Sequence, residues 1–122
     1  MEKIHTSKAP AAIGPYSQGI ALGQLIFTSG QIPVDPESGS IPQGIEAQAH
    51  QACKNVAAVL AEGGSSLDQV IKTTCFLADM GDFTPFNAVY ETYFTQKPAR
   101  SCVAVRELPK GVLCEIEVIA QR

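Results

Sequence analysis

The chain has 122 residues, of which 45% are hydrophobic, and a formal net charge of −3. This length suits one sizeable core, so we expect residues 1–122 to form a single domain. Nine cationic side chains in an acidic chain exclude a broad basic face, and we therefore expect no nucleic-acid partner. The sequence has no apolar run of membrane-spanning length and no secretory signal, which predicts a cytoplasmic protein without a membrane partner.

Two short strands are predicted near the N-terminus, over residues 17–22 and 25–29, and Gly23-Gln24 between them favours a hairpin. Residues 34–44 are dense in Asp, Pro, Ser and Gly, which favour turns and predict an ordered surface loop. From Ile45 onward, apolar residues recur at helical spacing as far as Gly63-Gly64, a pair that favours a helix end.

The second half of the chain adds a strand, a helix and two more strands. Both alternating faces of residues 70–78 are largely nonpolar, which indicates a strand covered on both sides. Apolar residues over 83–94 recur at helical spacing, with Pro85 tolerated in the first turn. Strand-like runs follow at 98–105 and 113–120. This order predicts an α+β layer of two helices on one sheet, and the partly apolar face left uncovered favours a homo-oligomer.

The last two strand-like runs flank a connection at residues 108–111 that contains Pro and Gly. Their alternation predicts an antiparallel pair. A turn centred on the middle of this connection sets Cys102 opposite Glu117. It also sets Ala104 opposite Glu115, so that both glutamates lie on one face of the pair.

Arg100 would share that face with Cys102 and the two glutamates. A guanidinium group is suited to bidentate capture of a carboxylate, and a nearby glutamate can accept a proton from water. The spacing therefore favours a site for a small acid. A cross-strand ion pair between Arg100 and Glu117 on a solvated face accounts for the same spacing equally well.

Four other residues are candidates for a site, and each has a structural alternative. Tyr16 follows a Gly-Pro turn and either walls a pocket or packs at a strand start. Gly30 ends a strand and either lets a ligand approach the backbone or is an ordinary turn glycine. Asn87 binds either a loop or a ligand, and Cys102 is favoured as a packed thiol over a nucleophile.

Metal and cofactor chemistry finds no support in the residue pattern. Neither His5 nor His50 stands in a metal-binding spacing, and the cysteines form no Cys-x-x-Cys pair. We therefore expect no metal and no cofactor, and we expect free thiols in a reducing compartment. The four thiols belong to Cys53, Cys75, Cys102 and Cys114.

Several separated motifs, in the family order, resemble the RidA family of reactive intermediate, or enamine/imine, deaminases. The motifs are AIGPYSQ at 12–18, FTSGQIP at 27–33, NAVY at 87–90, PARSCV at 98–103 and EIEVIA at 115–120. The resemblance implies a chorismate-mutase-like α+β fold and homotrimers with active sites in clefts between subunits. It also implies hydrolysis of 2-imino acids, such as 2-iminobutanoate and 2-iminopropanoate, to 2-keto acids and ammonia.

The resemblance also implies roles for individual residues. Arg100 would clamp the substrate carboxylate, and Glu115 would bind and orient the attacking water. Backbone groups around Cys102 and Gly30 would hold the imine end and the carboxylate, and Glu117 would support the arginine. The residues implied to line or shape the cleft are Tyr16, Ser29 and Asn87.

Two rival functions remain open from the sequence. A regulator that binds 2-keto acids without turnover would use the same arginine. An endoribonuclease or translation inhibitor is also reported within the wider family, but the acidic balance argues against it. The sequence departs from the family pattern at Arg106-Glu107, which leaves loop contacts there open.

Overall fold

The computed structural model describes residues 1–122 as one six-stranded mixed sheet with two helices packed on one face. The helices are α1 (Ile45–Glu62) and α2 (Phe83–Tyr93), and neither is long and apolar enough to cross a membrane. In the sheet order β1-β2-β3-β6-β4-β5, only β4 and β5 run parallel. The strands are β1 (Glu2–Ile4), β2 (Gly19–Leu22), β3 (Leu25–Thr28), β4 (Val70–Leu77), β5 (Ala99–Ala104) and β6 (Cys114–Gln121).

The helices form where the apolar spacing predicts them. In α1 the buried residues recur along one face, and the chain leaves the helix at Gly63 and Gly64, whose φ of +84° suits glycine. In α2 the buried face includes Phe86 and Tyr90, and Pro85 occupies the first turn. The hairpin of β2 and β3, the strand β4 and the two-helix α+β layer are likewise confirmed. The short strand β1 was not predicted.

The predicted pairing of the last two strands is wrong. The strand β6 lies between β3 and β4, whereas β5 lies at the sheet edge on the other side of β4. Cys102 therefore pairs with Cys75, and Glu117 pairs with Thr74. The predicted pairing of Ala104 with Glu115 is wrong for the same reason, since these residues pair with Leu77 and Phe76 of β4.

The connections explain this topology. The helix α2 crosses over between β4 and β5, and a crossover of this length joins parallel neighbours. Residues 105–113 are too long for a tight hairpin turn and contain a separate helical turn at Pro109–Gly111, where Lys110 has a φ of 56°. Both ends of this loop are hydrogen-bonded to the end of β4. The Val105 N–H donates to the carbonyl of Leu77 at 2.9 Å, and the Ala78 N–H donates to the carbonyl of Leu113 at 3.0 Å.

The register separates the arginine from the carboxylates. Arg100 pairs with Thr73, which is fully buried beneath the helices, so Arg100 and Cys102 lie on the helix-covered face. Glu115 and Glu117 alternate with the buried Ile116 and therefore lie on the opposite face. The predicted single face shared by the arginine and both glutamates is wrong, and so is the cross-strand ion pair between Arg100 and Glu117. The support that Glu117 would give the arginine stays a prediction. The one ion pair in the chain joins Arg122 to Glu2 at 3.3 Å.

The uncovered sheet face presents large apolar side chains. Phe27 of β3 is 40% exposed and Val103 of β5 is 46% exposed. Ile119 lies between these two strands on the same face and is only half-buried. Monomeric proteins rarely leave such a face in water. The homo-oligomer stays a prediction, and this face is where it would form.

Candidate active site

A cleft of about 600 Å³ opens on the uncovered side of the sheet. It lies where the loop after β3, the start of β6 and the segment at residues 13–16 come together. Four of the predicted site residues line it, namely Tyr16, Ser29, Gly30 and Glu115. The other lining residues are Ile13, Gly14, Ile32, Pro109, Lys110 and Glu117.

The Glu115 carboxyl group rests against the backbone of Gly30. Gln31 and Ile116 exchange backbone hydrogen bonds at 2.8 and 3.1 Å, and this pairing holds Gly30 beside the first residues of β6. A Cβ atom at position 30 would stand 2.7 Å from Cδ of Glu115, closer than such atoms approach. Position 30 therefore has to be glycine for the carboxyl group to occupy this place.

The environment of Glu115 makes its carboxylate a stronger base than an ordinary glutamate. Burial raises the pKa of Glu115, and the neighbouring charge of Glu117 raises that pKa further. Both effects disfavour the ionised form. A carboxylate with a raised pKa, open to a cleft, is suited to accept a proton from a bound water.

Backbone contacts fix the floor of the cleft. The Ser29 hydroxyl donates to the carbonyl of Ser17 at 2.5 Å, and the Ser29 N–H donates to the carbonyl of Gln18 at 2.9 Å. These bonds join the end of β3 to the start of β2. The Tyr16 ring stands at the mouth, 51% exposed, with its edge over Gly14. Ser29 thus shapes the cleft, whereas Tyr16 presents a free surface to it.

The arginine belongs to a different region, at the edge of the helix-covered face. The Arg100 Nη1 atom donates to Oδ1 of Asn87 at 2.7 Å. Its guanidinium carbon lies 4.7 Å from the centre of the Tyr90 ring and 5.6 Å from that of Phe83. The Tyr90 hydroxyl is in turn hydrogen-bonded to the buried hydroxyl of Thr73 at 2.8 Å. One amide and two rings therefore hold the guanidinium, and other N–H groups remain for a carboxylate.

The profile of the family described as endoribonuclease L-PSP matches residues 6–122. The chain belongs to this family. A Salmonella typhimurium protein named 2-iminobutanoate/2-iminopropanoate deaminase is 50% identical over 123 residues, covering 98% of this chain and 96% of that protein. The RidA resemblance of the motifs is thereby confirmed.

Two further relatives carry names other than deaminase. A Lactococcus lactis protein proposed to be a regulator, AldR, is 53% identical over 123 residues, covering 99% of this chain and 98% of its own. The crystal structure of E. coli TdcF with bound serine superposes with a TM-score of 0.97 at 47% identity, covering 100% of this chain and 99% of that one. The α+β architecture is therefore common to the family.

This L-PSP family chain gathers its predicted site residues into two groups. Tyr16, Ser29, Gly30 and Glu115 line the cleft, and we call these residues the cleft group. Arg100, Asn87 and Cys102 lie on the other face, and we call these the arginine group. Within one chain the two groups do not meet.

The arginine group contains a thiol that is not activated. Burial raises the pKa of Cys102, and the nearby charge of Arg100 offsets only part of that effect. A protonated thiol is a poor nucleophile, which agrees with the packed-thiol interpretation.

Sequence reasoning missed Ile13 and Lys110 as walls of the cleft. Ile13 belongs to the motif at 12–18, in which only Tyr16 was a candidate, and Lys110 belongs to the connection at 108–111. Lys110 could have been found from its position five residues before Glu115, in a connection that must return to the start of β6.

Proposed function

We propose that the protein hydrolyses 2-imino acids, such as 2-iminobutanoate and 2-iminopropanoate, to 2-keto acids and ammonia. The seating of the Glu115 carboxyl group against Gly30, at the wall of an open cleft, carries this proposal. The name of the Salmonella typhimurium relative supports it. So does the serine bound to TdcF, because an amino acid presents the same carboxylate and adjacent nitrogen as a 2-imino acid.

In this proposal a second copy of the chain completes the site. Arg100 lies on the opposite face from Glu115, so only an arginine from a neighbouring subunit can reach the same substrate. The exposed apolar face around Phe27 and Val103 provides the surface on which subunits would pack. We take the assembly to be a homotrimer, with the cleft group of one subunit facing the arginine group of the next.

The chemistry needs no cofactor. Arg100 binds the substrate carboxylate through two N–H groups, which holds the imine carbon beside Glu115. A water oxygen attacks that carbon while Glu115 accepts its proton, and the electron pair of the C=N bond moves to nitrogen. Glu115 then returns the proton to the amine. As the C–N bond breaks, ammonia leaves with its electron pair, the hydroxyl oxygen forms the C=O bond of the 2-keto acid, and the hydroxyl proton passes to Glu115.

The remaining site residues have supporting roles in the proposal. Backbone groups near Gly30 and Cys102 orient the two ends of the substrate. Asn87 fixes the arginine through the 2.7 Å hydrogen bond, Ser29 holds the floor, and Tyr16 closes the mouth. Because a protonated imine is already electrophilic, positioning and one base supply most of what the reaction requires.

The proposal is tested with 2-iminobutanoate generated in the assay by an amino-acid oxidase. We expect the wild type to accelerate release of 2-ketobutanoate and ammonia. We expect Arg100→Ala and Glu115→Ala to lower kcat/KM by about 10²-fold to 10⁴-fold, the range for loss of a charged anchor or a general base. Arg106→Ala and Glu107→Ala, which remove exposed charges of the same kinds outside the cleft, serve as matched controls and should leave kcat/KM unchanged.

A regulator is the second candidate, because the Lactococcus lactis relative is proposed to be one. A protein that only binds 2-keto acids needs Arg100 but has no use for a water-orienting carboxylate. Binding of 2-ketobutanoate that Arg100→Ala abolishes and Glu115→Ala preserves, without imine hydrolysis above the spontaneous rate, would favour the regulator over the deaminase.

A further inference from the structure

A second cavity, of about 220 Å³, adjoins the cleft, and we call it the side pocket. Five residues line both spaces, namely Ile13, Tyr16, Gly30, Ile32 and Lys110. Beyond Tyr16 the walls of the side pocket are largely carbon. They include Pro10, Ala11, Val34 and Pro36.

Two buried amides fix the opposing walls of the side pocket. Gln18 is 2% exposed, and its Nε2 atom donates to the carbonyls of Ala9 and Pro10 at 3.3 and 2.8 Å. Asn55 is 1% exposed, and its Nδ2 atom donates to the carbonyls of Ile32 and Val34 at 3.0 Å each. Buried amides with satisfied hydrogen bonds are rigid anchors, so the space between these walls is preorganised.

We propose that the side pocket receives the side chain of the substrate and sets the preference among 2-imino acids; this inference rests on the proposed function. Gly30 touches the Glu115 carboxyl group and is also a wall of the side pocket. A substrate whose imine carbon lies beside Glu115 therefore has a direct path for its side chain across Gly30. The carboxylate points the other way, towards the arginine of the neighbouring subunit.

The chemistry of the walls selects aliphatic side chains. Three of the four amide or charged side chains that line the side pocket are hydrogen-bonded to the backbone. Nε2 of Gln18 and Nε2 of Gln31 donate to the carbonyls of Pro10 and Ser29 at 2.8 and 3.3 Å, and Oδ1 of Asp35 accepts from the N–H of Glu37 at 2.8 Å. The fourth, Lys110, also lines the cleft. Each methylene buried against the carbon walls should raise kcat/KM about fourfold, from the usual transfer free energy of a methylene group. The 2-imino acids derived from leucine and methionine are therefore preferred over 2-iminopropanoate.

The experiment compares imines generated in the assay from alanine, 2-aminobutanoate, leucine and methionine. Ala11→Phe fills the side pocket from its rim, and Val34→Leu narrows it from the opposite wall. Ala12→Phe is the matched control, because Ala12 lies next to Ala11 but lines neither space. We expect Ala11→Phe to reduce kcat/KM for the leucine imine relative to 2-iminopropanoate at least tenfold, Val34→Leu to act in the same direction, and Ala12→Phe to leave the ratio unchanged.

Binding of the products separates this inference from the proposed function. The affinities of pyruvate and 4-methyl-2-oxopentanoate are measured by calorimetry, with no turnover required. Selective weakening of the larger keto acid in Ala11→Phe supports the side pocket even if the wild type hydrolyses no imine. Equal effects on small and large ligands, or an unchanged ratio in both pocket variants, would overturn it.

Discussion

The cleft group and the arginine group are held in place by different means. Glu115 keeps its position because position 30 has no side chain and the backbone of β3 pairs with β6 beside it. Arg100 keeps its position because the side chains of α2 surround it, with Asn87 at one edge and Tyr90 under one face. The first arrangement depends on the path of the backbone and the second on side-chain packing. The two groups should therefore fail in response to different substitutions.

Among the substitutions that separate the two groups, Gly30→Ala should have the largest effect, because it breaks the cleft group alone. The new methyl group would displace the Glu115 carboxyl group, because the Cδ atom of Glu115 lies only 2.7 Å from the place of the new Cβ atom. A displacement of about 1 Å at a catalytic group costs roughly 10²-fold, which we expect in kcat. The affinity for 2-ketobutanoate should fall by less, because Arg100 still binds its carboxylate although Gly30 borders the substrate. The measurement is steady-state imine hydrolysis beside calorimetry of the keto acid.

Gly81→Ala is the control for this substitution. Gly81 lies outside the cleft, and a Cβ there would meet only the movable carboxyl end of Asp79, at 3.1 Å. Its kcat should equal that of the wild type. Full activity in Gly30→Ala would contradict the assignment of Glu115 as the base seated at this position.

A smaller effect is expected from Tyr90→Leu, which loosens the arginine group and leaves the cleft group unchanged. Removing a ring 4.7 Å from the guanidinium carbon should raise KM about tenfold, in line with the strength of a partly desolvated cation–π contact, while kcat changes little. Phe94→Leu is the matched control, because Phe94 is a buried ring stacked on Tyr90 at 4.5 Å and is not one of the two rings that face the Arg100 guanidinium. Equal rises of KM in both variants would show that Tyr90 acts only through the stability of the core.

The smallest effect is a shift in pH dependence on Glu117→Gln. In the proposed mechanism the reaction requires ionised Glu115, so kcat/KM should fall as the pH drops through the pKa of this group. The charge of Glu117 contributes to the raised pKa of Glu115, and removing that charge lowers the pKa. The acid limb of the profile should therefore move to lower pH. Glu107→Gln should leave it in place, and an acid limb unmoved in Glu117→Gln would count against Glu115 as the titrating base.

Much of the fold could be predicted because local patterns encode it. The apolar spacing of α1 ends at Gly63-Gly64, and the hairpin of β2 and β3 turns at Gly23, whose φ is +58°. The order of strands along the sheet is not local information. Alternation within a strand tells which residues share a face of that strand, but not which strand lies next to it.

The error over Arg100 and Glu115 follows from that limit. Alternation gives Arg100 its correct set within β5 and Glu115 its correct set within β6. The error lies in pairing β5 directly with β6, because β4 separates these strands in the sheet. The crossover through α2 was a usable signal, because it makes β5 parallel to β4 and takes it away from β6. Motif resemblance named the residues of both groups, while their separation by the sheet came only from the structure.

The central claim is that each active site takes Glu115 from one subunit and Arg100 from the next. The most direct test refolds Arg100→Ala and Glu115→Ala chains together in equal amounts and assays the mixed oligomers for hydrolysis of 2-iminobutanoate. Random assembly of shared sites predicts recovery of about one quarter of wild-type activity, because each intact group is drawn with even odds from a different subunit. Mixed oligomers no more active than the separate variants would contradict a site shared between subunits.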